Sequence, residues 1–101
     1  MTQRAKVNWV SREEGGRSAL PTGTRYVTIG RFSEDGPKWP DGAWSVVLDF
    51  PTPPSEQGVT SFGRASFLME NAPRERLLPG RSFDLYEGLR KVATVDLLSD
   101  T

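Results

Sequence analysis

Apolar and polar residues alternate along several short stretches of this chain. In Ala5–Arg12, the residues Ala5, Val7 and Trp9 fall at every second position, and Ala43–Phe50 repeats the pattern more strongly. A period of two puts one set of side chains on one face of an extended chain, which is typical of a strand with one buried face. Along the whole sequence the pattern predicts six strands, at residues 5–12, 25–32, 43–50, 60–70, 82–86 and 92–98.

The segments between these strands are rich in glycine and proline. Residues 33–42 and 51–58 contain five prolines between them, so we expect loops there, and residues 51–58 should sustain neither a ladder nor a helix. Glu87–Arg90 predicts a tight hairpin, and a bulge is expected at Gly63 or Ala65, where the alternation is lost. Because no helical period is long enough for a helix, the sequence predicts an all-β antiparallel barrel or sandwich.

Length and composition favour one small domain. A second core in 101 residues would leave each half near the size at which disulfides or metals become necessary, so we assign residues 1–101 to a single domain. The chain has no cysteine and no histidine, which excludes disulfides, thiolate zinc sites and imidazole acid–base chemistry. No signal peptide or membrane span stands out, so we expect no membrane contact and a cytoplasmic protein of bacterial style.

Charge is balanced over the whole chain but uneven along it. Residues 1–32 contain six cations and two glutamates, residues 33–60 contain one cation and five carboxylates, and the remainder is balanced. A barrel would then show either a basic and an acidic side or scattered charge with no partner. One hypothesis is that five cations converge near one barrel end and suit a phosphate backbone. These are Arg74, Arg76, Arg81, Arg90 and Lys91.

Three short motifs carry a resemblance to a known family. They are Glu13-Glu14-Gly15-Gly16-Arg17, Leu78-Pro79-Gly80-Arg81-Ser82-Phe83 and Leu85-Tyr86-Glu87-Gly88-Leu89-Arg90-Lys91-Val92. Together with the strand order, they make the chain resemble the C-terminal β-barrel, or third domain, of translation elongation factor Tu and related translation GTPases. The resemblance covers most of the chain and implies a stand-alone six-stranded antiparallel barrel of Greek-key-like topology.

The resemblance also implies candidate contacts. In elongation factor Tu this barrel packs against the GTPase domain and contacts the T stem of aminoacyl-tRNA, partly through a Glu-Gly pair that Glu87 and Gly88 match. The chain has no G-x-x-x-x-G-K-[ST] loop, so GTP hydrolysis and nucleotide binding are not carried over. The candidate interaction residues in the matching motifs are Glu13, Glu14, Gly15, Gly16, Arg17, Glu87, Gly88, Arg90 and Lys91.

Trp39 is open to two interpretations. It stands in a turn-rich loop, where a large ring either contacts a partner, as tryptophan does at interfaces, or folds back over an open barrel end as a plug. Glu13 and Glu14 could in principle form an acid–base pair. Neighbouring loop residues usually point apart, however, and a tight turn explains the adjacent glycines without catalysis.

We therefore expect a non-enzymatic protein-interaction module that uses no cofactor and no metal. Its partner would be another protein or a second copy of the chain, the latter through an exposed sheet edge. The alternative is an RNA- or tRNA-binding accessory domain that uses the last hairpin and nearby arginines. An enzyme ranks third, because the sequence supplies no nucleophile–base pair. Salt separates the first two hypotheses, since phosphate-driven binding weakens steeply with ionic strength.

Overall fold

The computed structural model describes residues 2–99, whose regular secondary structure is mostly β-strand. The six predicted strands are confirmed within that range. They are β1 (Gln3–Trp9), β2 (Arg25–Arg31), β3 (Ser45–Asp49), β4 (Thr60–Phe67), β5 (Ser82–Glu87) and β6 (Arg90–Leu97). The other regular elements of residues 2–99 are one short helix, α1 (Pro54–Gln57), and two 3₁₀ turns, Arg12–Glu14 and Arg74–Leu77. No helix in this range is long and apolar enough to cross a membrane.

The strands form one sheet that closes on itself. Around the ring the order is β1-β4-β3-β2-β5-β6, and β6 pairs again with β1, with every pair antiparallel. The run β1-β4-β3-β2 has Greek-key order, because β2, β3 and β4 are successive neighbours and β1 lies beside β4. The all-β antiparallel barrel is confirmed. Each strand described has a neighbour on both sides, so a homodimer formed edge to edge would find no unpaired strand in residues 2–99.

The core lies inside the ring and follows the alternation seen in the sequence. The alternating residues Ala5, Val7 and Trp9 of β1 and Val46 and Leu48 of β3 all belong to this core. Aromatic rings fill much of the interior, and the Phe32 ring stacks on the Phe83 ring with centroids 4.5 Å apart. The buried residues of this core are Ala5, Val7, Trp9, Phe32, Val46, Leu48, Phe50, Ala65, Leu77, Phe83, Leu85, Val92, Ala93, Val95 and Leu97.

The predicted bulge in β4 is wrong. This strand pairs with β1 and β3 in continuous register, so neither Gly63 nor Ala65 carries an extra residue. The alternation is broken at Gly63 for another reason. A Cβ there would lie 2.5 Å from the carbonyl oxygen of Asp49, so glycine is required by a close approach of backbone. The irregular step lies instead between β5 and β6, where the neighbours Leu85 and Tyr86 pair with Ala93 and Lys91, so that Val92 of β6 is the extra residue.

The expectation that residues 51–58 hold no helix is also wrong. Pro54 occupies the first helical position, where the missing N–H would be unpaired in any residue. The Gly58 amide donates to the Pro54 carbonyl at 2.8 Å and ends the turn, while the Ser55 amide donates to the Pro21 carbonyl at 2.9 Å. The Pro54 side chain is buried. Proline therefore begins a helical turn here and fixes it to the loop before β2.

The strand directions define two barrel ends. At one end β4 finishes at Phe67, close to the start of β1 and β5, and we call this the Phe67 end. At the other end β5 finishes at Glu87 and β6 begins, and we call this the Glu87 end. The 3₁₀ turn Arg74–Leu77 and the loop after β2 lie at the Phe67 end. The turn that follows β1 lies at the Glu87 end, because the Val10 amide donates to the Val92 carbonyl at 2.9 Å.

Ion pairs hold the loops at the Phe67 end together. Arg76 lies 3.3 Å from Asp35 and both side chains are largely buried, while Arg81 lies 2.6 Å from Glu34 nearer the surface. Asp35 also accepts a hydrogen bond from the Phe32 amide at 2.8 Å. The hydrogen bond from Arg81 is the largest cause that lowers the pKa of Glu34 below its usual value. The carboxylates of the acidic middle segment are therefore partly neutralised by arginines of the last third of the chain.

Candidate functional site

The Glu87 end brings the first and last sequence motifs into contact. The Arg17 guanidinium forms an ion pair with Glu87, and the Tyr26 hydroxyl donates to the same carboxylate oxygen. Arg17 also lies over the Tyr26 ring, 5.5 Å from its centroid, and its Nε donates to the Ala19 carbonyl at 3.0 Å. Tyr26 in turn packs edge-on against the core residue Trp9, with centroids 5.3 Å apart. The two motifs thus form one half-buried cluster seated on the core.

The cluster keeps its carboxylate ionised. Burial alone would raise the pKa of Glu87, but hydrogen bonds from Tyr26 and Arg17 and the charges of Arg17 and Arg90 outweigh it, so the pKa lies below its usual value. Burial, and then the adjacent Glu87, raise the pKa of Tyr26. Burial would lower the pKa of Arg17, but Glu87 outweighs that effect and the pKa is raised. The anion and its two donors therefore persist together at neutral pH.

The two glycines of the first motif have separate structural roles. Ser11 caps the 3₁₀ turn by accepting from the Glu14 amide at 3.3 Å, and Gly15 leaves the turn with φ of 95°, in the left-handed region. Gly16 has no such φ, but a Cβ on it would lie 2.0 Å from the Val10 carbonyl oxygen. Glu13 and Glu14 are exposed on this turn. The motif therefore builds a compact turn that presents Arg17 to Glu87.

The last hairpin presents an apolar side chain to solvent. Gly88 and Leu89 form its two-residue tip, and Gly88 has φ of 61°, as the first position of a type II′ turn requires. The Leu89 side chain is 81% exposed, the largest exposure among the large apolar residues described. Arg90 is exposed beside it, whereas Lys91 lies 3.3 Å from Asp84. Leu89 was not among the candidate residues. Its position at the tip of a predicted hairpin does, however, indicate an exposed side chain.

Trp39 packs against the barrel wall. Its indole N–H donates to the Gly30 carbonyl at 3.0 Å, and its ring lies 4.6 Å from the Tyr86 ring. The Arg31 guanidinium lies 5.1 Å from the Trp39 ring centroid. Arg31 and Tyr86 alternate with inward-facing neighbours, so these contacts lie on the outer surface of β2 and β5. The ring has an intramolecular role, on the wall and not across a barrel end.

The five cations proposed to converge lie apart. Arg74, Arg76 and Arg81 belong to the Phe67 end, where two of them form the ion pairs described above. Arg90 and Lys91 begin β6 at the opposite end. Because the strands of the ring separate the two groups, they do not form one phosphate-binding surface.

An apolar groove at the Phe67 end is the feature that the sequence pattern missed. Leu68, Met69 and Leu78 are 49%, 55% and 51% exposed around a cavity of about 270 Å³. Phe67 and Leu77 contribute to its lining, together with the polar residues Thr2, Gln3 and Ser66. The signal in the sequence is Phe67-Leu68-Met69, three consecutive apolar residues where a strand with one buried face would alternate.

The rim of the groove is charged with both signs. Glu70 and Arg74 line it and are exposed, and neither takes part in an ion pair within residues 2–99. The described residues contain no group of three acidic, cysteine or histidine side chains placed to hold a metal ion. No protein-family model matches the sequence, and a search of curated proteins gives no match.

Proposed function

We propose that this chain is a non-enzymatic protein-interaction module of the cytoplasm, a stand-alone barrel resembling the third domain of elongation factor Tu. The observation that carries the proposal is the groove at the Phe67 end, where three large apolar side chains are about half exposed around a cavity. Contiguous exposed apolar surface on a small domain favours an interaction site, whereas scattered apolar residues do not.

The size of the groove favours a polypeptide side chain as its occupant. Its volume of about 270 Å³ falls below the ~300–1,000 Å³ of sites that enclose drug-sized ligands. One large apolar side chain fills such a cavity and leaves the rim residues to pack around it. Covering the exposed halves of Leu68, Met69 and Leu78 would contribute about 1 kcal/mol each. Methionine adapts its shape readily, which suits a binding surface.

The charges on the rim favour a partner that carries both signs. A partner with a cation facing Glu70 and a carboxylate facing Arg74 would be oriented on the groove, and rim charges of this kind add specificity more than affinity. RNA binding through the last hairpin is the competing proposal. It has less support, because Lys91 is already near Asp84 and Glu87 lies at the base of the hairpin.

A capture experiment with matched variants tests the proposal. The immobilised protein is challenged with lysate at about 50 and about 200 mM salt, a range over which phosphate-driven binding falls steeply. Met69→Asp places a charge in the groove, and Val59→Asp is its control, since Val59 is 63% exposed but lies before β4 at the Glu87 end. The double variant Arg90→Ala/Lys91→Ala removes the two cations of the last hairpin and so tests the RNA-binding alternative.

We expect a defined protein to be retained at both salt concentrations by the parent and Val59→Asp, and lost with Met69→Asp. Retention of RNA that disappears at the higher salt and with Arg90→Ala/Lys91→Ala would replace this proposal with the alternative. Equal retention of the protein by Met69→Asp and the parent would remove the groove from the binding surface.

A further inference from the structure

Two surfaces of complementary chemistry lie at opposite ends of this barrel. The Glu87 end carries the protruding Leu89 tip, and the Phe67 end carries the open apolar groove. We propose that the groove of one copy receives the Leu89 tip of a second copy, so that the chain associates head to tail. This inference rests on the proposed function, because it names the occupant of the same groove.

The tip matches the groove in shape. A two-residue turn is the narrowest protrusion that a pair of strands can form, and Leu89 at its apex is 81% exposed. The groove is open to solvent along its Leu68, Met69 and Leu78 rim, and its volume of about 270 Å³ holds a leucine side chain with room for part of the turn. Insertion would cover the most exposed large apolar side chain described together with the three rim residues of its partner.

Both surfaces carry exposed charges of both signs. Arg90 follows Leu89 directly and is exposed, as is Glu70 on the groove rim. The turn beside the hairpin carries the exposed Arg12, Glu13 and Glu14, and the other charged residue on the rim is Arg74. The tip end therefore offers cations and carboxylates to a groove that offers a carboxylate and a cation. Such pairs orient an encounter and oppose wrong pairings.

The tip is held in place before it binds. The Glu87 carboxylate at the base of the hairpin is bound by Arg17 and Tyr26, and the Glu87↔Arg90 pair ends the β5–β6 ladder. A preorganised hairpin loses less conformational entropy when it docks. The Arg17–Glu87–Tyr26 cluster thus holds the hairpin in the conformation that presents Leu89.

Symmetric pairings fit the same chemistry less well. Tip against tip would place two Arg90 side chains near each other, and groove against groove would leave both cavities unfilled. The closed ring also offers no strand edge in residues 2–99 for sheet extension. A head-to-tail contact is heterologous, so it forms a ring if the rotation between copies closes and an open chain if it does not.

Sedimentation of mixed variants tests this geometry. Leu89→Asp removes the apolar side chain of the tip, Met69→Asp puts a charge in the groove, and Val59→Asp is the control, at the Glu87 end but outside the hairpin that forms the tip. All three replaced side chains are more than half exposed, so each variant should fold. For the parent and for Val59→Asp, we expect the average mass in solution to rise as the protein concentration is raised from about 10 µM to about 1 mM. Leu89→Asp and Met69→Asp should each associate at least about tenfold more weakly.

The decisive sample is an equal mixture of Leu89→Asp and Met69→Asp. Each copy retains the half that the other lacks, so one intact junction forms and the mixture yields a heterodimer that grows no further. A two-fold dimer predicts no such complementation, and a mixture no heavier than its components would overturn the inference. A parent that stays monomeric at about 1 mM would overturn it as well.

The inference and the proposed function fail separately. If the parent is monomeric while Met69→Asp still loses a protein that the parent captures from lysate, the groove binds another occupant and only the self-association is wrong. If Met69→Asp changes neither self-association nor capture, the groove has no binding role and both are wrong.

Discussion

Replacing Gly16 by alanine should destabilise the barrel strongly, because the added methyl group would meet backbone. The new Cβ would lie 2.0 Å from the Val10 carbonyl oxygen and 2.6 Å from its carbon, so the chain must shift by more than an ångström. Val10 has little freedom, since its amide bonds to Val92 at the start of β6. Overpacking in a rigid setting costs about 3 kcal/mol, and in a domain of this size each kcal/mol lowers Tm by about 4–8 °C.

Thermal unfolding of three alanine variants measures the effect against its controls. Gly16→Ala should lower Tm by about 12–24 °C. Gly15→Ala meets no atoms but must hold a left-handed φ of 95°, which costs about 1–2 kcal/mol. Gly36 has open space and no such φ, so Gly36→Ala should leave Tm unchanged or slightly raised. If Gly16→Ala and Gly36→Ala unfold within a few degrees of each other, the steric reasoning is refuted.

Four further substitutions test the ion pairs and the packing of the Trp39 ring. Trp39→Ala should cost about 2 kcal/mol by calorimetry, because the ring is half-buried; unchanged stability would restore its role as a contact for partners. Asp35→Asn should lower the free energy of unfolding by about 2 kcal/mol, because it breaks a largely buried ion pair. Glu34→Gln should lower it by less than about 1 kcal/mol, because that ion pair is more exposed, and equal losses would contradict this dependence on burial. The pKa of Glu87 is lowered in the fold, so its stabilisation is present above about pH 4.3 and is lost as pH falls through the folded value. The Tm gap between the parent and Glu87→Gln should therefore narrow on acidification, and a constant gap to about pH 3 would argue against it.

Most of the fold follows from local pattern. The alternation in residues 5–12 and 43–50 predicted β1 and β3 because burial on one face selects for it directly. Features that depend on distant backbone did not show in the pattern. The need for Gly63 comes from the Asp49 carbonyl of a neighbouring strand. The sequence shows a glycine at position 63 but does not show which backbone atom lies against it in the fold.

The candidate site was predictable in part. The first and last motifs were both named, yet the contact between Arg17 and Glu87 joins residues 70 positions apart, and only the ring topology brings them together. Trp39 was expected either to bind a partner or to plug a barrel end, because nothing in its loop reveals that Gly30 and Tyr86 lie within reach. The groove was missed because its apolar residues were assigned to the end of a strand that in fact stops at Phe67.

The neighbours of β1 in the ring have a consequence for synthesis. Its two partners are β4 and β6, and β6 occupies residues 90–97. Because synthesis runs from the N-terminus, β1 is made long before β6, and Ala5, Val7 and Trp9 are not fully enclosed until residues 90–97 have been made. Topologies with such distant pairings fold in milliseconds to seconds, slower than helical domains. The barrel therefore cannot close before β6 has been synthesised.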